Sequence, residues 1–193
     1  MELKDLKTKN LGQNIIYTET IDSTQLEIWR RIEKQQIENG TIIFSDIQTN
    51  GKGTHGREWF TQEKNNIAFS FYIKLDINVN KIQGITLEIA ETIVEVFRNL
   101  YGISLNIKYP NDIVYNNKKI GGILTETKIK GQKVLEMVVG IGINTNQETF
   151  NQQIANTASS IKKEFNIEID NKKILSEFCN LFEPKINERI FER

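Results

Sequence analysis

The segment 48–59, Gln-Thr-Asn-Gly-Lys-Gly-Thr-His-Gly-Arg-Glu-Trp, constrains the fold of this chain more than any other stretch. We call it the glycine loop. Its glycines permit positive φ angles, and they let backbone N–H groups approach a ligand where a Cβ atom would be in the way. The apolar run 41–44 precedes it in the sequence. A strand is therefore expected to lead into the loop.

The side chains of the glycine loop favour an anionic ligand that also carries a planar ring. Lys52 and Arg57 supply positive charge, and an arginine can form two parallel hydrogen bonds with a phosphate or a carboxylate. Trp59 supplies a flat face at the far end of the loop. We interpret the glycine loop as a binding loop, and a solvated surface loop is the alternative.

Length and composition limit the remaining classes of function. The 193 residues are expected to form one domain, 1–193. Lys+Arg and Asp+Glu each number 25, so there is no basic field to collect nucleic acid, and no nucleic-acid partner is expected. The sequence has neither an apolar signal segment nor a run of about eighteen uncharged apolar residues. We therefore predict a cytoplasmic protein with no membrane partner.

Cysteine and histidine are too scarce for several kinds of site. The chain has one cysteine, Cys179, and one histidine, His55, which excludes a disulfide framework and a Cys/His zinc site. Cys179 lies beside Phe178 and near Phe182 on a predicted apolar helix face, so we expect it in the core. A Ser/His/Asp hydrolase would have to use His55 in a glycine-rich loop, with no elbow-type serine.

The alternation of hydrophobic periods predicts an α+β fold, with a mixed, mainly antiparallel sheet backed by helices. The predicted strands are 14–17, 41–48, 67–75, 104–109, 113–115, 118–126 and 133–144. A turn at 64–66 leads into the third strand, and Asn116-Asn117 forms a hairpin turn.

Four helices are predicted. The first begins at Thr24 with a capping box to Glu27, carries the stripe Leu26, Trp29 and Ile32, and ends at Asn39-Gly40. The next two cover 81–100 and 157–165. The last begins at Asp170, and Pro184 should kink or end it.

Other polar residues and glycines lie at the ends of predicted elements. Hydroxyls and an amide at a helix N-terminus can bind a ligand or simply cap the helix. Asp112 offers oxygen to Mg²⁺, although Asn-Asp is also a common turn. A glycine pair within a strand indicates the close approach of a ligand, or a solvated hairpin. The groups are Ser23-Thr24-Gln25, Asn111-Asp112, Lys118-Lys119 with Gly121-Gly122, and Asn144.

Taken together and in order, these motifs resemble those of biotin protein ligases. The match covers most of the chain, and five motifs at this spacing are specific although each is weak alone. The motifs are Asp22-Ser23-Thr24, the glycine loop, Lys108-Tyr109-Pro110-Asn111-Asp112, Lys118 to Glu126, and Gly140 to Asn144. The resemblance implies a fold related to class II aminoacyl-tRNA synthetases, with substrates on the open face of the sheet.

The resemblance also implies a two-step reaction. Biotin and Mg-ATP give biotinyl-5′-AMP and pyrophosphate, and a lysine of a biotin carboxyl carrier protein or domain then takes the biotinyl group. The implied ligands are thus ATP, Mg²⁺ and biotin as substrate. We see neither the N-terminal helix-turn-helix segment nor the C-terminal β domain that many members carry, so only the catalytic domain, without a repressor role, is expected. Strand edges could pair into a homodimer.

Two other functions stay open. Lipoate or octanoate transferases share this fold, but their R-R-x-S-G-G-G-type loop is absent from the sequence. A non-catalytic biotin- or nucleotide-binding module is the second alternative, and Thr54 is the residue that favours it, because the family commonly has an arginine there.

By motif position, the resemblance implies a role for each site residue. The implied catalytic residues are Lys119, Arg57 and Lys52. The implied biotin-binding residues are Ser23, Thr24, Gln25, Gln48, Lys52, Gly53, Thr54, Lys119, Gly121 and Gly122. The implied ATP-binding residues are Arg57, Trp59, Asn111, Asp112 and Asn144, and Asp112 is the implied metal ligand.

Position 54 generates a prediction, because the family's loop commonly reads G-R-G-R-x-G-R and Thr54 lacks the charge of the second arginine. Losing one charge-assisted hydrogen bond should weaken retention of biotinyl-AMP by about 1.5–3 kcal/mol. Thr54→Arg is therefore expected to slow the release of biotinyl-AMP by about tenfold or more. The measurement is the dissociation rate of preformed biotinyl-AMP, and equal rates for wild type and variant would contradict the prediction.

Overall fold

A seven-stranded mixed sheet forms the centre of the computed structural model, which describes residues 3–61 and 66–191. Its spatial order is β1-β2-β5-β9-β8-β7-β6, in which β1 and β2 are parallel and every other neighbouring pair is antiparallel. The short strands β3 and β4 pair only with each other. The strands are β1 Ile15–Ile21, β2 Ile42–Gln48, β3 Gly51–Lys52, β4 Glu58–Trp59, β5 Ile67–Asn78, β6 Asn106–Lys108, β7 Asp112–Tyr115, β8 Lys118–Lys130 and β9 Lys133–Ile143.

The helices complete an α+β architecture, so the predicted fold class is confirmed. They are α1 Thr24–Glu33, α2 Ile85–Tyr101, α3 Ile161–Phe165 and α4 Asn171–Phe191, with short 3₁₀ turns at Thr54–Gly56 and Val79–Ile82. Among the described residues, no helix combines the length and the apolar character that spanning a bilayer would require.

The main core lies between one face of the sheet and the helices α2 and α4. The rings of Phe178 and Phe182 are 5.4 Å apart, and Phe71 of β5 lies 5.9 and 5.6 Å from them. Cys179 is fully buried here, as predicted, and burial raises the pKa of its thiol. The opposite face carries a much smaller apolar cluster under α1, formed by Ile28, Ile32, Ile43, Tyr72 and Val138.

Strand β9 shows how the two faces differ. Successive side chains of a strand point to opposite faces, and Met137, Val139 and Ile141 point into the main core. The alternate residues Val138, Gly140 and Gly142 therefore point to the other face. The neighbours of the two glycines there are also mostly small: Ser70 and Leu124 lie beside Gly140, and Ala68 and Gly122 lie beside Gly142. The open face of the sheet thus has a shallow floor beyond the end of α1.

Helix α1 differs from its prediction at both ends. Ser23, not Thr24, is the N-cap and accepts from the Leu26 N–H at 3.5 Å. Glu27 closes no capping box, because it pairs with Arg30 and Arg31. The helix ends at Glu33 rather than at Asn39-Gly40.

Of the predicted stripe of α1, only Ile32 is confirmed as buried. Gln25, Ile28 and Ile32 are buried, whereas Leu26 and Trp29 are only partly so. The reason is tertiary: the side chain of Gln25 reaches β8 and β9, which turns that side of the helix towards the sheet.

The later helices also differ in extent from the predictions. Of the predicted helix 157–165, only Ile161–Phe165 is helical. The reason is that the Lys119 N–H donates to the Thr157 carbonyl and the Ser159 N–H donates to the Lys119 carbonyl. Residues 157–159 therefore run along β8. Helix α2 begins at Ile85, after the left-handed Gly84 (φ 77°). The predicted turn at 64–66 lies largely outside the described residues.

Pro184 does not end the last helix. The helix begins after Asp170, whose Oδ1 accepts from the N–H groups of Lys172 and Lys173, so the predicted start is confirmed. It continues to Phe191. Phe182 before the proline and Ile186 after it are both buried. Beyond the proline, Lys185 and Arg189 form ion pairs with Glu95 and Glu88 of α2. This packing outweighs the lost hydrogen bond.

The N-terminal segment is attached to α4 through one carboxylate. Glu183 is only 7% exposed. Its Oε2 accepts from the Lys9 N–H at 2.7 Å, and its Oε1 accepts from the N–H groups of Asn10 and Leu11 at 2.7 and 2.8 Å. Hydrogen bonds to a charged group are stronger than neutral ones, so this residue fixes the segment before β1.

We therefore predict that Glu183→Gln lowers the free energy of unfolding by about 1–3 kcal/mol, because an amide has only one acceptor oxygen for three N–H donors. Urea unfolding followed by circular dichroism measures the change. Glu188→Gln is the matched control, since Glu188 lies on the same helix and is exposed. Equal stability of the two variants would contradict the prediction.

Candidate functional site

A cavity of about 400 Å³ opens on the sheet face beyond α1. Every site residue predicted from the sequence lines this cavity except Gly121. The structure thus brings together residues from α1, the glycine loop, β7, β8 and the end of β9.

Gly121 lies in a different environment from the residues that line the cavity. A Cβ atom at this position would lie 2.9 Å from the Gly142 carbonyl oxygen and 3.5 Å from Ile113 Cβ. The residue is buried between β7 and β9. Its lack of a side chain therefore serves strand packing, and the structure does not place it against the cavity.

The indole of Trp59 lies on the floor of the cavity. A Cβ atom at Gly142 would overlap the Trp59 ring, and one at Gly122 would lie 3.5 Å from Trp59 Cζ3. The Lys119 ammonium lies 5.9 Å from the ring centroid. Trp59 Nε1 is buried and has no hydrogen-bond partner among the residues described. The glycines at 122 and 142 thus let a flat ring lie on the sheet.

Lys119 and Asp112 form the charged pair of the cavity. Lys119 Nζ lies 2.6 Å from Asp112 Oδ1, and the two side chains are 33% and 19% exposed. The backbone of Lys119 is held on both sides by residues 157–159. An anion that enters the cavity therefore meets a lysine on a fixed strand.

The N-terminus of α1 brings a network of neutral polar groups to the cavity. Gln48 Oε1 accepts from the Thr24 N–H at 2.8 Å and from Thr24 Oγ1 at 3.1 Å. Thr24 Oγ1 also lies 2.8 Å from Ser70 Oγ. Ser23 is fully buried beside them. Uncharged donors and acceptors in a buried setting suit a neutral polar ring better than an ion.

Behind this network, the Arg30 guanidinium forms an ion pair with Asp22 at 2.6 Å. Its hydrogen bonds to Asp22 are the main cause that lowers the pKa of that carboxyl group. The same carboxylate accepts from the Ser23 N–H at 2.8 Å. The Asp22 carboxylate therefore stabilises the start of α1.

The glycine loop folds back on itself at the mouth of the cavity. Gly51 pairs with Trp59 and Lys52 with Glu58, and His55 between them is left-handed at φ 57°. The Arg57 guanidinium donates from Nε to the Thr54 carbonyl at 3.2 Å. Its Nη2 donates to Thr54 Oγ1 at 3.0 Å.

The two predicted asparagines both line the cavity, and their amides also hold elements in place. Asn111 Nδ2 donates to the Ile123 carbonyl at 3.1 Å. Asn144 Nδ2 donates to the Ser159 carbonyl at 3.0 Å, and its Oδ1 accepts from Asn66 at 3.3 Å. In this state each contributes to the shape of the cavity wall.

One wall of the cavity was missed by sequence reasoning. It is formed by Phe150, Ile154, Thr157 and Ala158, of which only the last two lie in a predicted element, the helix 157–165. Two apolar residues four positions apart, within a run rich in Asn and Gln, were the available signal. Ser70 on the floor was missed as well, and Gly140 and Gly142 belong to the fifth motif but were given no role there.

No group of three or more His, Cys, Asp and Glu side chains that could hold a metal occurs within the described ranges. Two carboxylate residues line the cavity, the exposed Glu58 and the partly buried Asp112, and Asp112 is the one that lies beside Lys119. Mg²⁺ is commonly bound by one or two carboxylates together with substrate phosphates. A single carboxylate therefore fits a magnesium ion that arrives with a nucleotide.

Comparison with known proteins gives consistent results. Residues 17–144 match the model of the biotin/lipoate A/B protein ligase family. The bifunctional ligase/repressor BirA of Bacillus spizizenii is 35% identical over 182 residues, which are 93% of this chain and 56% of that protein. Biotin–protein ligase 2 of Arabidopsis thaliana is 30% identical over 76% of this chain and 45% of its own length. The chain thus spans about half the length of these curated relatives.

Among solved structures, the biotin protein ligase from Aquifex aeolicus in complex with biotin and ATP superimposes with a TM-score of 0.75 at 27% identity. The match covers 92% of this chain and 72% of that one.

The position of Trp59 generates a prediction that is independent of any activity. Gly142→Ala should displace the indole from the sheet and cost about 1–3 kcal/mol of stability, because a methyl group overlaps the ring. In a Trp29→Phe background, the emission maximum of Trp59 is expected to shift to longer wavelength. Gly122→Ala is the control, since its methyl group meets mainly the flexible end of Lys119 at 3.1 Å. Unchanged emission for Gly142→Ala would be evidence against this placement.

Proposed function

The chain belongs to the biotin/lipoate A/B protein ligase family, and on that premise we propose that it is an ATP-dependent biotin protein ligase. It would activate biotin to biotinyl-5′-AMP and then transfer biotin to a lysine of a biotin carboxyl carrier protein or domain. The observation that carries the proposal is the single cavity that joins the α1 N-terminus, the glycine loop and Lys119.

The first step joins two anions, and the cavity offers cations for it. When a carboxylate attacks the α-phosphate, negative charge develops on the phosphoryl oxygens and on the leaving pyrophosphate, so groups that hold this charge accelerate the reaction. Lys119 lies on the cavity wall, and Lys52 and Arg57 lie at its exposed mouth. In the proposed roles, Lys119 contacts both the biotin carboxylate and the α-phosphate, and the other two cations contact the phosphates.

Asp112 is the residue that would hold Mg²⁺. The ion would neutralise phosphate charge when it is bound with ATP. In the present structure the same carboxylate pairs with Lys119 at 2.6 Å. Asp112 therefore keeps the lysine on the cavity side before substrates arrive.

The two ends of the cavity suit the two substrates. Ser23, Thr24 and Gln48 offer neutral hydrogen-bonding groups for the biotin ureido ring. Trp59 supplies a stacking surface for adenine, with Asn111 and Asn144 on the nucleotide side. Closure of the glycine loop over the bound substrates would keep water from the reactive anhydride.

The second step needs no protein nucleophile. The acceptor lysine of the carrier attacks the mixed anhydride directly, so the enzyme's task is to hold biotinyl-AMP until the carrier arrives. The partner is accordingly a biotin carboxyl carrier protein or domain of a carboxylase. We propose a cytoplasmic location, where ATP and such carriers occur together.

The test is biotin-dependent exchange of labelled pyrophosphate into ATP by the purified chain, with lipoate and octanoate as parallel substrates. Exchange with biotin alone supports the proposal. Exchange with lipoate or octanoate instead would favour the acyl-transfer branch of the family. If folded protein exchanges with none of the acids, a non-catalytic binding module is the better description.

Lys119 generates the corresponding mutational prediction. Lys119→Met is expected to lower the exchange rate by about 10²–10³-fold, the effect of removing one donor aimed at developing charge. Lys118→Met is the matched control: Lys118 is the adjacent residue, pairs with Glu164 at 3.7 Å and does not line the cavity. Similar rates for the two variants would contradict the role given to Lys119.

A further inference from the structure

The side-chain amide of Gln25 has a fixed orientation. Its Nε2 donates to Glu126 Oε2 at 2.8 Å and to the Val138 carbonyl at 3.3 Å. Both partners are acceptors only, and an amide nitrogen has two hydrogens to give. The hydrogen-bond network therefore places Nε2 of Gln25 towards β8 and β9, and Oε1 accepts none of these hydrogen bonds.

That oxygen is buried without a donor. Gln25 is 3% exposed, and its Oε1 has no hydrogen-bond partner in the portion of the chain that the structure describes. Leaving a buried acceptor unpaired costs about 1–3 kcal/mol, so such atoms call for an explanation. Gln25 lies on the cavity wall together with Ser70 and Gly140. A Cβ atom at Gly140 would lie only 2.8 Å from Oε1, so the glycine leaves this oxygen its space.

Two residues outside the cavity wall hold the amide in this orientation. Trp29 Nε1 donates to Glu126 Oε2 at 2.7 Å, the same oxygen that Gln25 uses. Gln25 and Trp29 are four residues apart on α1 and therefore share one face of the helix. Glu126 lies on β8 directly opposite Val138 of β9. A carboxylate fixed by one indole thus aligns a neighbouring amide.

We infer that Glu126 and Trp29, which lie outside the cavity, are positioning residues that fix Gln25 Oε1 as an acceptor for an N–H group of the substrate. This rests on the proposed function and narrows its substrate class. The matching ligand is an acid that carries a ring N–H, as a ureido ring does. Octanoate and lipoate have no N–H to give, so they would leave Oε1 unpaired.

The experiment is isothermal titration of biotin into the purified chain without ATP. Glu126→Gln is expected to weaken binding about tenfold, because an amide at 126 no longer forces the Gln25 nitrogen towards the strands. Trp29→Phe, which removes only the indole N–H and part of the ring, is expected to weaken binding about threefold. Glu136→Gln is the matched control: Glu136 is a carboxylate on the adjacent strand that pairs with Lys128, and it does not line the cavity.

A double-mutant cycle separates positioning from a general structural effect. Gln25→Met keeps the side-chain length but removes the acceptor. If Glu126 acts through Gln25, Glu126→Gln has no further effect on the Kd in the Gln25→Met background. If the two losses multiply instead, Glu126 acts by some other route and the inference is overturned. Urea unfolding of each variant verifies that the folded state is retained.

Ligand chemistry gives the second readout. Desthiobiotin keeps the ureido ring and lacks the thioether, so Glu126→Gln should weaken biotin and desthiobiotin by the same factor. A loss for biotin alone would place the effect at the thioether ring and refute the assignment. If the wild-type chain binds no biotin, the proposed function itself fails. If it binds biotin and the variants match wild type, only the present inference fails.

Discussion

The two faces of the central strand β9 have opposite requirements: one face needs bulky apolar side chains and the other needs none. The rest of the structure depends on this difference. On one face β9 supplies Met137, Val139 and Ile141 to the main core. On the other it has to stay flat, because Gln25 and Trp59 approach it at Gly140 and Gly142. Glycine weakens a strand through its conformational freedom and its missing side chain. The long antiparallel pairings with β5 and β8 offset this weakness.

This arrangement separates the main core from the cavity by the thickness of one sheet. Helices α2 and α4 cover one face, where aromatic rings such as Phe71, Phe178 and Phe182 pack together. On the opposite face α1 covers only one end, above Tyr72 and Val138. The cavity takes the remainder of that face. Substitutions at the cavity wall can therefore alter binding while the main core remains intact, provided that they avoid the central glycines.

The sequence predicts those features that depend on interactions between residues close together in the chain. Periodicity found the seven strands of the main sheet and the long helix α2, because alternation and amphipathic spacing are local properties. The hairpin at Asn116-Asn117 was also local, and both residues are left-handed in the structure, at φ 46° and 61°. The site residues were collected by motif order, and the cavity contains all of them except Gly121.

Most of the errors involve interactions between residues distant in sequence. Residues 157–159 pair with Lys119, about forty positions earlier, and therefore leave the helix that their composition favours. The buried side of α1 is set by Gln25 reaching Glu126 and Val138. Gly121 was assigned to a ligand because a glycine pair in a strand has two causes, a ligand or a neighbouring strand, and the sequence does not distinguish them.

The glycine loop shows why counting charges is not enough at position 54. A threonine there removes a cation from the loop, but its hydroxyl accepts a hydrogen bond from Arg57, and its carbonyl accepts a second. An exposed arginine loses side-chain freedom when it binds an anion, and these contacts remove part of that freedom in advance. An arginine at 54 would add charge, yet it would take away the hydroxyl acceptor and place a like charge beside Arg57. The threonine therefore offsets part of the charge it lacks by ordering the cation that remains.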